Sequence, residues 1–197
     1  IGDFKYPVPS GALALCSVNL PLTAPSIVRP QKHFGALLYT GNGSSGHRIS
    51  GLEFKPDFAW VKRRDSGANH GIYDSVTGVT SYLRADLNNA QDTNLSHLSS
   101  FNEDGFTLGA DTYQNGNSQT FVAWCWKGGG AAVSNSDGSI TSSVSANQEA
   151  GFSIVTWTGS GADASIGHGL GKKPKVLFVK NRSASDNWKV WFKGVTT

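Results

Sequence analysis

The sequence predicts an all-β protein built from tandem β-sandwich or jelly-roll-like modules, the second of them incomplete. Three observations lead there. Charged residues make up only 16%, Gly numbers 24 of 197, and there is no Met; with abundant Ser, Thr and Asn this describes short strands joined by tight turns. Ten Phe and six Trp within a hydrophobic share of 38% are enough for a real core. Finally, residues 34–79 lie on residues 152–197 at a constant offset of 118 without a gap, and 12 of 46 positions are identical. The identities cluster: Phe34, Thr40, Gly41 and Gly43; then Gly51, Leu52, Lys55 and Pro56; then Val61, Lys62, Arg64 and Asn69. An internal repeat resets what counts as one domain.

The elements follow in chain order. Five of the seven prolines fall at or before Pro30. Each fixes φ and removes a donor, so residues 1–33 read as the tail of a preceding module plus a Pro-rich linker, with GALALCSVNL as one short strand. Residues 34–130 form the first module. FGALLYT, FAWVK and HGIYDSV are strands separated by GNGSSG and by the KPD turn. TSYLRADLNNAQDTNLSHLSSF keeps no sustained 3.6-residue period and is expected to hold one short helical turn. DGFTLG and TFVAWCW are strands. In the second, Phe121, Ala123 and Cys125 face one way and Val122, Trp124 and Trp126 the other, an apolar pattern expected of a central strand covered on both sides. Residues 131–150 are a Gly/Ser-rich joint in which SDGSITSSVS can pair as a hairpin. Residues 151–197 are the second module. It lacks room for counterparts of FNEDGFTLG and TFVAWCW, and with Ile1 at its start the chain reads as a piece, or a processed form, of a longer protein.

Charge and cysteine usage exclude several classes. The net charge of +3 comes from scattered single lysines such as Lys32, Lys55 and Lys62, with no basic patch for nucleic acid. No apolar run approaches the ~20 residues of a membrane helix, so no membrane insertion is expected. Cys16 and Cys125 are 109 residues apart, and sequence leaves their pairing open. No catalytic residue, metal ligand set or cofactor can be named. GLGKKP lacks both the upstream Gly and the Ser or Thr of a phosphate loop: Ile166 and Lys173 stand there. GSGADA opens no helix. His33, His47, His70, His97 and His168 show no metal-ligand spacing. Glu103, Asp104 and Asp111 are turn residues before they are calcium ligands. Asn42, Asn94 and Asn181 each open an N-x-Ser sequon.

Aromatics are more telling. Trp60, Tyr73, Trp124, Trp126, Trp157, Trp188 and Trp191 are candidate platforms for stacking on sugar rings, weighed against a plain core role. Tyr39 matches Trp157 and Tyr73 matches Trp191, as a shared core requires. Trp188, beside Asn187 and Asp186 in a polar loop, is expected to be the exposed one. The ligand-binding candidates are therefore Trp188, Asn187, Trp191 and Tyr73.

The runs YTGNG, ISGLEFKPDFAWVKRRDS, SFNEDGFTLG and FVAWCWKGGG resemble a repeat family found in virion proteins of marine tailed phages. So do DGSITSSVSANQEAGFSIVTWTG at 137–159, GHGLGKKP at 167–174 and VKNRSAS at 179–185. The leading SGALALCSVNLPLT resembles the closing segment of a lectin-like sandwich module. The resemblance implies a non-enzymatic structural component of a virion, in a tail fibre or surface appendage. Its implied partners are other virion proteins, further copies of itself (trimers being usual for fibres) and host-surface glycans. A capsid decoration protein or capsid fibre is the alternative implied setting, and a glycan depolymerase a third.

Overall fold

The computed structural model describes residue 27 and residues 29–194. The strand expected in GALALCSVNL lies outside the described residues, as does Cys16. A 3-10 turn at Pro30–Lys32 leads into β1 (Phe34–Thr40). There follow β2 (His47–Ser50), β3 (Phe58–Arg63), β4 (Gly71–Asp74), β5 (Ser81–Arg84) and β6 (Asp92–Thr93). Next come β7 (Leu98–Asn102), β8 (Gly105–Leu108), α1 (Thr112–Asn115) and β9 (Thr120–Trp126).

These strands make two antiparallel sheets, β1-β9-β3-β4-β5-β6 and β2-β8-β7. Their facing sides supply one core. The larger sheet contributes Ala59, Val61, Tyr73, Phe121, Ala123 and Cys125, all fully buried; the smaller contributes Leu98, Phe106 and Leu108. Leu52 and Phe54 close the core from the turn between β2 and β3. Strict alternation explains the placement. In β9, Phe121, Ala123 and Cys125 are buried while Val122, Trp124 and Trp126 are half-buried on the opposite face, the period-2 signature of a strand with one face in the core. Strand β9 is central, between β1 and β3, but its outer face is only partly covered, which corrects the expectation of full cover on both sides.

The short helix is displaced from its expected place. TSYLRADLNNAQDTNLSHLSSF folds as β5, β6 and β7. The helical turn is instead α1, capped by the Asp111 carboxylate, which accepts from the Tyr113 N–H at 2.7 Å. A capping Asp satisfies an otherwise orphan amide, and that side-chain bond decides where so short a helix can form.

Past β9 the chain makes β10 (Val133–Asn135), β11 (Ser142–Asn147) and β12 (Phe152–Trp157) in a three-stranded meander. The hairpin expected in the joint is β10–β11. The joint is fastened at both sides. Asp57, buried, accepts from the Gly128 N–H and from the Ser75 hydroxyl, each at 2.9 Å. Ser145 accepts from the Gly129 N–H and donates to the Gly130 carbonyl. Phe152 then packs against Phe58 and Trp126, with ring centroids 5.7 and 5.9 Å away.

Two strands remain, β13 (Val176–Val179) and β14 (Lys189–Phe192), which among the described residues pair only with each other. Strands β1, β3 and β4 begin at residues 34, 58 and 71; β12, β13 and β14 begin at 152, 176 and 189. The offset of 118 read in the sequence is thus reproduced for these three strands, whereas the counterpart of β2, residues 165–168, holds only a single bridge at Ile166. The register is reproduced as well: Phe58 opposes Asp74 as Val176 opposes Phe192.

Candidate functional site

The outer face of the larger sheet is the most distinctive surface of the first module. Residues of even number in β1, β3 and β9 point there, because those of odd number fill the core. The strand register then lines them up in rows. Phe34 lies opposite Trp126, and Trp126 opposite Phe58. In the next row Trp124 lies opposite Trp60, and Trp60 opposite Ile72. Phe34 and Trp126 tilt together at 4.8 Å, and Trp60 meets Trp124 edge-on at 6.2 Å. Phe34 is 42% exposed and Leu38, one row further, 65%. The Trp60 indole N–H donates to His70 Nδ1 at 2.9 Å, which fixes the ring with its edge satisfied. Four strands spaced ~4.8 Å apart make this face roughly 14 Å across; Phe152 covers Phe58 and Trp126 and Ile72 is buried, so the part left half-buried is that of Trp60 and Trp124, beside the exposed Phe34. Sequence reasoning weighs these tryptophans between a stacking platform and a core role without separating them. The signal that separates them is parity: Trp60, Trp124 and Trp126 are all out of phase with Ala59, Ala123 and Cys125.

The four residues singled out in the sequence divide differently. Tyr73 is fully buried, stacks on Tyr82 at 5.9 Å and offers no face to a ligand, which corrects its candidacy. Trp188 is half-buried rather than exposed, and its indole N–H donates to the Arg84 carbonyl at 2.9 Å. It is a fastening between β5 and the second module, reinforced by Asp186 N–H to Asn88 O and Gln91 N–H to Arg182 O. Asn187 is exposed beside it, and together with Asp86 and Asn88 they line a shallow hollow of about 410 Å³. Trp191 lies apart on β14 and is 41% exposed. The structure therefore joins Trp188 to Asn187, and separates both from Tyr73.

Titratable groups meet at one buried place that spacing did not reveal. The Tyr73 hydroxyl lies 3.1 Å from His97 Nδ1, and His97 Nε2 lies 3.2 Å from Asp111 Oδ1. Burial pushes the His97 imidazole below its ordinary pKa, with the Asp111 carboxylate pulling the other way. Burial also drives the Tyr73 hydroxyl well above the usual range. His97 is sandwiched against Tyr82 and Tyr113, so this relay is walled in by aromatic rings. Of the other acids, Asp104 pairs with Arg48 at 2.5 Å. Among the described residues no three His, Cys, Asp or Glu side chains gather to hold a metal. Cys125 is a free, buried thiol, pushed up to about 12 by burial.

The sequons resolve into turn chemistry. Asn42, Asn94 and Asn181 each accept from the N–H of the residue two positions on, Ser44, Ser96 and Ser183, at 2.8 to 3.0 Å, the bond of an Asx turn. Among the described residues no helix is long and apolar enough to cross a membrane.

The chain matches no curated protein and no solved structure. A family model does match it, over residues 29–197, a span that takes in the first module, the joint and the second copy of the repeat together. By that match the chain belongs to the family described as Domain of unknown function (DUF7483).

Proposed function

We propose that this chain is a structural component of a tailed-phage particle, placed in a tail fibre or another surface appendage, that meets host-surface glycans through its outer aromatic face. The repeat carries the reading: three strands recur at one offset of 118 residues, which supports a chain that holds one module and part of a second and belongs to an array of such modules. Such an array binds by multiplicity. A weak contact displayed many times gains avidity from effective concentration, without needing a deep site. The shallow aromatic band fits that economy, since flat rings stack on sugar faces without enclosing them. The sequence runs shared with phage virion repeats supply the setting, and other virion proteins and further copies of the chain are the partners it implies.

Immunogold labelling of purified particles, with antibody against residues 34–130, tests the placement. Gold at the distal tail supports a fibre or adhesin. Gold over the head would replace it with a capsid decoration protein or capsid fibre. Glycan hydrolysis by the purified chain, abolished by one carboxylate substitution, would overturn both in favour of a depolymerase. For the binding face, Trp124→Ala should weaken glycan capture at least ~10-fold, the loss of roughly one aromatic contact, while leaving far-UV circular dichroism unchanged. Equal capture by both proteins would remove the aromatic band from the proposal.

A further inference from the structure

The outer face of the larger sheet changes character along its length. Past the row of Trp124 and Trp60, the register sets Leu38 opposite Val122 and Val122 opposite Lys62. The ladder holds for one row more, because the Arg64 N–H donates to Thr120 O at 2.8 Å and Thr120 lies opposite Thr40. Residues i and i+2 of a strand share a face about 6.8 Å apart, so Trp60, Lys62 and Arg64 form one line along β3. Leu38 on this face is 65% exposed, Lys62 is half-buried and Arg64 is exposed. The face runs from aromatic to cationic.

Its charges lack counter-ions. Among the described residues no carboxylate comes within ion-pair distance of Lys62 or Arg64. No acid stands at an even position of β1, β3 or β9. Asp65, next along the chain, pairs with Arg63 and accepts the Thr120 N–H at 3.0 Å, so its charge is already met. The Lys62 ammonium is also held in place. It donates to Ser66 O at 3.3 Å, which uses one of its three protons.

The second copy of the repeat carries the same line. Phe178, Lys180 and Arg182 take the positions of Trp60, Lys62 and Arg64. Phe178 is 59% exposed. Lys180 Nζ donates to Ala184 O at 3.3 Å, and Ala184 is the repeat counterpart of Ser66, so the anchoring bond recurs as well. Arg182 shares its Nε with Gln91 Oε1. Neither pair of cations belongs to a wider basic patch, and a net charge of +3 is small for a nucleic-acid surface.

We propose that the ligand of this face is an acidic polysaccharide, a sugar chain bearing carboxylate or sulfate groups, whose rings stack on Trp60 and Trp124 while its anionic groups bond to Lys62 and Arg64. The inference rests on the reading of the outer face as a glycan-binding surface, and adds the charge of the glycan. Charge complementarity is the argument. A neutral sugar seated on the tryptophans takes water from two neighbouring cations without return, whereas an anionic one supplies the counter-charge. Guanidinium and ammonium groups bond to such oxyanions more strongly than to neutral hydroxyls. Rings and charges follow one another along β3, so a polymer lying on that strand meets both.

Capture of the full chain on four immobilised polymers tests it. Polygalacturonate and dextran sulfate are the acidic probes; methyl-esterified polygalacturonate and dextran are their uncharged counterparts. At least one acidic polymer should hold the chain ~10-fold more tightly than its counterpart at about 50 mM salt, and the preference should fade toward about 0.5 M as screening shortens the reach of the charges. Whether polygalacturonate or dextran sulfate shows it tells carboxylate from sulfate. Lys62→Gln combined with Arg64→Gln should lower acidic capture at least ~10-fold and leave neutral capture unchanged. Equal retention of charged and uncharged polymers would overturn the inference, and since that comparison uses the unsubstituted chain it holds even if the double variant fails to fold. No binding to either acidic polymer would overturn it too, whereas the wider glycan reading fails only on the Trp124→Ala comparison above. Acidic capture lost in the double variant but intact in Trp124→Ala would refute the placement on the aromatic rings. Tighter capture of single-stranded oligothymidylate than of either acidic polymer would assign the face to nucleic acid instead.

Discussion

Asn115 is the residue on which the loops around the top of the first module converge. It is fully buried. Its Oδ1 accepts from the Asn42 N–H at 3.0 Å and lies 2.8 Å from His47 Nδ1. Its Nδ2 donates to Ser44 O at 2.8 Å and Gly109 O at 2.7 Å. Each of these groups loses water on folding, so removing the amide strands several of them at once. Asn115→Ala should lower stability by about 3 kcal/mol or more, read as a reduced urea midpoint with unchanged slope. A loss under ~1 kcal/mol would mean that water takes over those bonds. His97 supplies a pH test. Its folded pKa lies below the ordinary 6.5, pushed down by burial, so below that value the unfolded chain binds the extra proton more readily than the folded one. Stability should therefore rise with pH across this window and be lost as pH falls from about 7 toward 5. His97→Gln cannot titrate and should show a flatter profile over the same range in thermal melts. Parallel profiles would exclude His97 as the source. Neither residue was prominent in the sequence: Asn115 belongs to no motif there, and His97 acquires its meaning only from rings and a carboxylate brought in by folding.

At the level of elements, the repeat was legible because identical residues kept identical spacing, and the strands at 152, 176 and 189 start where the offset put them. The reason for each identity was not legible. Gly43 and Gly161 are matched because both turns need positive φ, +68° and +78°. Gly41 and Gly159 are matched too, but only the first is crowded. A Cβ on Gly41 would collide with the backbone of Asn115 and Gly116, while around Gly159 there is open space. Gly41→Ala should consequently destabilise by about 3 kcal/mol, since backbone cannot move aside as a side chain does. Gly159→Ala should stay within ~0.5 kcal/mol. Comparable losses at both sites, measured by urea unfolding, would show that the second turn is packed as the first is. The misplaced helical turn has the same root. A stretch without clear periodicity carried no local signal, and pairing partners distant in sequence made it β5, β6 and β7 instead.

For the whole molecule, sequence spacing set out a first module, a joint and a second module, but it could not say how the joint is fastened to the first module. That depends on contacts across it: Asp57 holding Gly128, Asn147 against His33, and Phe152 stacked on Trp126 with an interplanar angle of 21°. Nor could it say which aromatics stay uncovered, because burial of a strand depends on neighbours contributed from elsewhere in the chain. Tyr39 and Trp157 occupy the same repeat position, yet Tyr39 stacks on Phe121 of β9 at 5.1 Å while Trp157 is 40% exposed. Phe152 is a side chain that carries apolar contact between the two parts, since it touches Phe58 and Trp126 at once. Removing it should uncouple them. Phe152→Ala is half-buried, so the direct loss is smaller than for a core Phe, about 2 kcal/mol. The larger expected effect is on cooperativity. With the stack intact, the meander β10-β11-β12 and the first module should unfold in a single calorimetric transition. Without it the meander should melt first, leaving the first module's transition near its original temperature. One transition, displaced but undivided, would show that the hydrogen bonds of Asp57 and Ser145 are sufficient to couple the parts without the aromatic stack.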